Sequence, residues 1–130
     1  MSVTEPTDLD AVFGGLKSLF NAGDYDGMRP FLDPGITWKM LHHIDSVTGD
    51  WNVIQWLHTK KDTKKPQFKD TSKNKSPLPN PDDGVEIHGN ADWVGDSSRP
   101  PTTEKIEYHF SFVQNAAKRW LLKNAFGILL

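Results

Sequence analysis

The sequence predicts an α+β fold, in which a curved antiparallel or mixed sheet wraps around about three helices and encloses a central pocket. The order of the patterns is the first reason, because helix-like segments and one short strand precede a run of strands after residue 84. The second reason is that short turns join those later strands, as in antiparallel hairpins. Chain length is the third, since 130 residues suit one domain, which we place at residues 1–130.

Composition disfavours several classes of function. The net charge is −2, so nucleic acid is not an expected partner. The chain has no cysteine, and therefore no disulfide and no thiolate metal ligand. Its apolar stretches fall short of the roughly 20 residues that span a bilayer, and the acidic N-terminus lacks the apolar core of a signal peptide. We therefore expect a cytoplasmic protein with no membrane partner.

The N-terminal half predicts three helices and one strand. In the first helix, apolar residues from Leu9 to Phe20 recur at three- and four-residue spacing, and the helix ends near Gly23. A short second helix covers Tyr25–Leu32, and a third runs from Trp51 to about Lys61. Between these two, Ile36–His42 alternates as a strand, with one face formed by Ile36, Trp38, Met40 and His42.

The segment 60–75 is rich in lysine, with seven lysines against two aspartates. Such a run is typical of a solvated loop, or of an edge strand that charge protects from aggregation, and we prefer that interpretation. The alternative is a site that binds phosphate or an acidic partner. Within and after this segment, Gln67–Lys69 predicts a short edge strand and Pro77–Gly84 predicts a loop.

The C-terminal half predicts three alternating strands, Val85–Val94, Lys105–Gln114 and Arg119–Leu129. Each places its apolar side chains on one face. Those faces are Val85, Ile87, Gly89, Ala91 and Trp93 in the first strand, Ile106, Tyr108, Phe110 and Phe112 in the second, and Trp120, Leu122, Asn124, Phe126 and Ile128 in the third.

Five short motifs follow one another along the chain. They are Leu19-Phe20-Asn21-Ala22-Gly23-Asp24, Phe31-Leu32-Asp33-Pro34 with Ile36-Thr37-Trp38, Gly49 with Ile54 and Trp56, Gly89-Asn90-Ala91-Asp92-Trp93, and Lys118-Arg119-Trp120. In this order they resemble the nuclear transport factor 2-like (SnoaL-like) superfamily of cone-shaped α+β domains. The resemblance implies a pocket between sheet and helices, and frequent homodimers through the outer face of the sheet.

The same superfamily includes isomerases, dehydratases and non-catalytic modules, so the resemblance does not give a function. Its ketosteroid isomerase branch would need a tyrosine at about Leu16 and an aspartate at about Met40, and this sequence has neither. Its dehydratase branch uses a His–Asp pair with tyrosines. His42 and Tyr108 match part of that set, but no acid can be matched to orient the histidine.

Eight residues are expected to line the pocket. Aromatic walls with few polar groups suit a small hydrophobic or aromatic molecule. The predicted lining is Trp38, Met40, Trp56, Ile87, Trp93, Phe110, Trp120 and Asn124. His42 and Tyr108 are the candidate catalytic residues, because histidine exchanges a proton near neutral pH and tyrosine can donate to a carbonyl. The alternative is that both are core residues bonded to the backbone.

The opposite face of the sheet carries its own polar residues. His88 and His109 are predicted to be neighbours across two strands, and with Asp92 they could bind a divalent metal. We prefer a polar dimer interface or a solvated surface, and we predict no metal and no cofactor.

Three hypotheses of function follow. The first is a domain that binds a small apolar ligand in the cone. The second is a lyase or isomerase that transfers protons through His42 and Tyr108. The third is a homodimeric protein-interaction module that uses the outer sheet face.

Overall fold

The computed structural model describes residues 9–40, 46–61, 67–77, 84–95, 102–117 and 119–130. Helices α1, α2 and α3 are Leu9–Ala22, Tyr25–Met28 and Asp50–Lys61, and a 3₁₀ turn, Arg29–Phe31, follows α2. The strands are β1 (Leu32–Met40), β2 (Val47–Thr48), β3 (Gln67–Asp70), β4 (Asn74–Pro77), β5 (Val85–Gly95), β6 (Thr102–Gln114) and β7 (Trp120–Leu129).

Among the described residues, all seven strands join one mixed sheet. Its order is β2-β1-β7-β6-β5-β3, and β4 also pairs with β5. β1 and β7 run parallel, while the other pairs are antiparallel. The predicted α+β class, with a mixed sheet and three helices, is confirmed.

Helix α1 forms where the sequence places its apolar stripe. Its buried residues are Leu9, Val12, Phe13, Leu16 and Phe20, which share one face at helical spacing. The helix ends because Gly23 adopts φ 78°, a conformation that costs glycine little. The Gly23 amide then donates to the Phe20 carbonyl at 3.0 Å, and the Asp24 amide donates to the Leu19 carbonyl at 2.9 Å. These two bonds satisfy carbonyls that the helix end would otherwise leave unpaired.

The core lies between α1 and the sheet, and it is largely aromatic. The ring of Phe13 lies 6.0 Å from the ring of Tyr108, 6.0 Å from that of Phe110 and 6.5 Å from that of Phe112 on β6. Further along α1, the ring of Phe20 lies 6.1 Å from the ring of Trp38 on β1 and 5.5 Å from that of Trp93 on β5. Two phenylalanines of α1 therefore join the helix to three strands, at spacings typical of favourable ring pairs.

Strand β5 has the two faces that its alternation predicts. Ile87 and Ala91 are buried in the core and Trp93 packs against it, while His88 and Asp92 belong to the opposite face. β5 also has two partners on one side, because β3 pairs with residues 91–94 and β4 pairs with residues 85–88. The edge of the sheet therefore bends between β3 and β4, opposite Gly89.

The bend is held by hydrogen bonds around Ser72. The Asn90 amide donates to Ser72 Oγ at 2.8 Å, and the Thr71 amide donates to the Asn90 carbonyl at 2.8 Å. The Ser72 carbonyl lies so close to Gly89 that a Cβ at position 89 would be 2.3 Å from its oxygen. Glycine at position 89 is therefore a steric requirement of the bend.

Strand β7 departs from the predicted alternation. Phe112 pairs with Leu122 and Ser111 pairs with Asn124, so Lys123 is an extra residue. Such a bulge moves all later side chains to the other face. Leu122 therefore faces the core, whereas Asn124, Phe126 and Ile128 are exposed. The prediction that one face carries Trp120, Leu122, Asn124, Phe126 and Ile128 is wrong beyond Leu122.

Three smaller differences concern the boundaries of elements. The second helix is shorter than predicted, since a 3₁₀ turn replaces its last part before β1 begins at Leu32. Strands β2 and β4 were not predicted, and β4 extends to Pro77, where a loop was expected to begin. The predicted edge strand is present as β3.

In the described part of the chain, no helix is long and apolar enough to cross a membrane.

Substitutions at two glycines should change the free energy of unfolding in opposite directions. We expect Gly89→Ala to lower the free energy of unfolding by about 2–3 kcal/mol, because the new methyl group overlaps the Ser72 carbonyl. Gly14→Ala should instead raise it by about 1 kcal/mol, since a Cβ there meets nothing within 4 Å and alanine favours the helix. Urea denaturation measures both variants, and an unchanged midpoint for Gly89→Ala would contradict the proposed bend.

Candidate functional site

A small cavity lies between α1 and the concave face of the sheet. The space that a water-sized sphere can reach is about 40 Å³. Its walls come from α1, α2 and five strands, and they are mainly apolar. They are Phe13, Leu16, Lys17, Phe20, Met28, Trp38, Phe68, Trp93, Phe110 and Leu122.

Three of the eight predicted pocket residues line this cavity, namely Trp38, Trp93 and Phe110. Ile87 is fully buried in the surrounding core, and Trp56 and Trp120 are partly buried against it. Asn124 is exposed on the outer face, so its predicted place in the pocket is wrong, and the bulge at Lys123 is the reason. The side chain of Met40 lies outside the described part of the chain, as does the whole of His42.

Trp38, whose side chain lines the cavity, also contains an unusual buried polar group. Trp38 is 5% exposed, and its Nε1 is buried with no hydrogen-bond partner in the described structure. A buried donor without a partner costs about 1–3 kcal/mol, so most such groups are paired. Trp38 therefore combines a ring that lines the cavity with a buried N–H group that has no partner among the described residues.

Tyr108, the second candidate catalytic residue, lies in the core and bonds to the backbone. It is 0% exposed, and its hydroxyl donates to the Ser72 carbonyl at 2.8 Å. Burial raises the pKa of Tyr108, and the negative charge of Asp70 raises it further. The hydroxyl thus holds its proton and supports the bend in the sheet edge.

The cavity borders a polar seam between α1 and β3. The Lys17 ammonium lies 2.6 Å from an Asp70 carboxylate oxygen. The Asn21 side chain bonds both backbone groups of Phe68, because its Nδ2 donates to the carbonyl at 2.9 Å and its Oδ1 accepts from the amide at 2.7 Å. Asn21 therefore acts as a strand partner for β3 and fixes α1 over the sheet.

The predicted lining came from the sheet and from Trp56 on α3, and it missed the wall that α1 forms. Seven lining residues were not predicted, four of them on α1. The signal was present in the apolar stripe of α1, where Lys17 follows the buried Leu16. The unpredicted residues are Phe13, Leu16, Lys17, Phe20, Met28, Phe68 and Leu122.

The outer face holds a cluster of charged and aromatic groups around His109. Its Nδ1 lies 2.5 Å from a Glu86 oxygen, and its Nε2 lies 2.6 Å from a Glu107 oxygen. The ring of His88 stacks on it at 5.8 Å, which confirms that the two histidines are cross-strand neighbours. Burial by itself lowers the pKa of His109, but the hydrogen bonds and charges of the two glutamates outweigh burial and raise it above its usual value.

The metal site considered for this face is not formed in the described part of the chain. No group of three or more potential ligands is placed to hold a metal ion there. The third predicted ligand, Asp92, instead accepts a hydrogen bond from Lys105 at 2.7 Å.

Comparisons with known proteins bear on the fold. No protein-family model matches the chain, and no curated protein sequence matches it. A protein from Caulobacter vibrioides with a cystatin-like fold superposes with a TM-score of 0.79 at 7% identity, over 94% of this chain and 87% of that one. An NTF2-like protein from Novosphingobium aromaticivorans, also of cystatin-like fold, has a TM-score of 0.70 at 9% identity, over 92% and 77%. The chain has the NTF2-like, cystatin-like fold.

A third similar structure contains a bound compound. It is a protein from Catenulispora acidiphila in complex with S-DNPA, with a TM-score of 0.77 at 10% identity, over 93% of this chain and 90% of that one. At such identities the likeness shows the fold alone.

The cluster around His109 predicts a pH dependence of stability. A histidine with a higher pKa in the folded state stabilises the fold below its unfolded value of about 6.5 and loses that contribution as pH rises through the folded value. We therefore expect the wild type to lose more stability than His109→Gln between about pH 6 and about pH 9. Urea denaturation at both pH values measures this difference. Ser111→Ala, two residues further along the same face of β6, is the control, and it should keep the wild-type slope because it removes no titratable group.

Proposed function

We propose that this chain binds a small hydrophobic or aromatic molecule in the cavity beneath α1. The observation that carries the proposal is a cavity with aromatic walls whose lining includes Trp38, an indole with a buried N–H group that lacks a partner. Apolar walls with few polar groups are typical of small-molecule sites in proteins.

The chemistry of the cavity wall suggests which groups the ligand carries. Rings from α1, β1, β5 and β6 face the space and would stack against a flat apolar body. An oxygen acceptor on that body would pair with Trp38 Nε1 and remove the cost of the unpaired donor. A ligand with one carbonyl or ether oxygen on an aromatic frame fits both requirements.

The cavity must also enlarge to admit such a ligand. A space of about 40 Å³ holds water-sized occupants, whereas a dry engineered cavity that binds benzene measures about 150 Å³. We propose that side chains at the seam between α1 and β3 move on binding, because rotamer changes are common when a site is occupied. Lys17 is the first candidate, since it is partly exposed and long.

The structural likeness supports small-molecule binding in this fold. The Catenulispora acidiphila protein was determined in complex with S-DNPA. The proton-transfer alternative has less support, because the Tyr108 hydroxyl is bonded to the Ser72 carbonyl.

The ligand proposal is tested with two probes of the same shape, acetophenone and α-methylstyrene, which differ by a carbonyl oxygen. In amide-detected NMR titrations we expect both to bind, and acetophenone to bind roughly three- to tenfold more tightly, as one hydrogen bond would give. Trp38→Phe should abolish that preference, while Trp51→Phe, at an exposed position, should keep it.

A second pair of variants tests where the probes bind. Leu122→Phe adds volume to the cavity wall and should block both probes, whereas Leu122→Met, of similar volume, should leave them binding. Absence of binding to the wild type, or binding that Leu122→Phe leaves unchanged, would refute the proposal.

A second proposal concerns the outer face, where we infer that two copies of the chain form a homodimer. The specific observation is that Phe126 is 39% exposed and Ile128 is 44% exposed on neighbouring positions of one face of β7. The Phe126 ring also lies 6.4 Å from the ring of His109, so apolar and polar groups adjoin as they do in interfaces. Contiguous exposed apolar side chains commonly mark such surfaces.

Sedimentation equilibrium tests the dimer. We expect the wild type to sediment at twice the chain mass of 14.7 kDa, and Phe126→Lys to sediment as a monomer because it places a charge in the interface. Trp51→Lys is the control, since Trp51 is 52% exposed on α3. A wild-type monomer at high protein concentration would contradict the proposal.

A further inference from the structure

We infer that the ligand of the cavity is an apolar acid, whose anionic group sits between Lys17 and Lys73 while its apolar body enters beneath α1. This inference rests on the proposed small-molecule function and specifies the chemical class of the ligand. It follows from the placement of two ammonium groups beside the same aromatic wall.

The two lysines come from different elements and meet at one ring. Lys17 lies on α1 and lines the cavity, and its Nζ is 5.5 Å from the centroid of Phe13. Lys73 lies between β3 and β4, and its Nζ is 5.6 Å from the same centroid. Phe13 itself lines the cavity, so both cations stand beside an apolar wall. Such cation–π contacts hold the ammonium groups near the ring.

The charges around this ring favour an anion over a cation. Lys17 pairs with Asp70 at 2.6 Å, while Lys73 and Lys75 share Asp10 at 3.2 and 2.9 Å. In this described cluster three lysines therefore face two aspartates. The pKa of Asp10 is lowered by its hydrogen bonds to Lys75 and Lys73, which shows that the cationic surroundings favour negative charge there.

The two aspartates also show how an anion would be held. Each lysine already binds a carboxylate oxygen at hydrogen-bonding distance. Lys17 and Lys73 are partly exposed and carry long side chains, so either can turn from its aspartate towards a ligand carboxylate. Lys17 is the one charged side chain among the described lining residues, which places the acid group at the seam rather than in the apolar interior.

The test uses 3-phenylpropionate, which is anionic at neutral pH, and 3-phenylpropanamide, which has the same shape and no charge. In NMR titrations at low ionic strength we expect the acid to bind roughly fivefold more tightly than the amide, which corresponds to one partly exposed ion pair. Added salt should reduce this ratio, because exposed charges are screened.

Five variants locate the anion. Lys17→Met and Lys73→Met should each lower the ratio, and the double variant should bring it close to one. Lys105→Met is the matched control, because Lys105 forms a comparable ion pair with Asp92 on the outer face, and it should keep the ratio. Lys17→Arg retains the charge and should keep the preference for the acid, which guards against a general effect of losing Lys17 on folding.

The outcomes separate the two proposals. If acetophenone binds the wild type but the amide binds as tightly as the acid, the inference about the acid is overturned and the proposed function stands. If the acid is preferred but Lys17→Met and Lys73→Met leave the ratio unchanged, the assigned position of the anion is overturned. If acetophenone, 3-phenylpropionate and 3-phenylpropanamide all fail to bind, the proposed function fails and the inference fails with it.

Discussion

The packing of α1 into the concave face of the sheet is the interaction on which the rest of the structure depends. Phe13 and Phe20 carry it, since between them they contact rings on β1, β5 and β6. Burial of large rings supplies much of the stabilisation of a small domain. The same rings line the cavity, so the element that closes the core also forms one wall of the candidate site.

Polar contacts fix where this helix lies. Asn21 bonds the backbone of Phe68, and Lys17 and Asp10 form ion pairs with groups from β3 and the residues that follow it. These contacts are possible because the sheet edge bends at Ser72, which Gly89 permits and the Tyr108 hydroxyl supports. Within the lysine-rich segment, Gln67–Asp70 forms the edge strand β3, and Lys73 and Lys75 attach the sheet edge to the helix through Asp10.

The sequence was sufficient to predict much of the fold, because long alternating strands and one amphipathic helix carry strong periodic signals. The two faces of β5 follow directly from its alternation. The bulge in β7 could not be predicted in the same way, because the alternation of Asn124, Phe126 and Ile128 continues unbroken through it. Lys123 is neither glycine nor proline, so nothing in its chemistry marks an extra residue.

The candidate site was less predictable for two physical reasons. Lining residues come from elements far apart in sequence, and the seam between α1 and β3 exists only once the edge strand is folded. Hydrogen-bond satisfaction is also a property of the folded chain, so neither the bonded Tyr108 hydroxyl nor the unpaired Trp38 nitrogen has a sequence signature.

The bulge has a further consequence for the space inside the cone. Across the sheet, Ala125 pairs with Trp38 on one side and with Phe110 on the other, and both of these large residues line the cavity. Without the extra residue at position 123, the alternation of β7 would turn Phe126 inward in place of Ala125. One inserted residue thus places the small side chain of Ala125 between the large rings of Trp38 and Phe110. The cavity beneath α1 lies against these two rings.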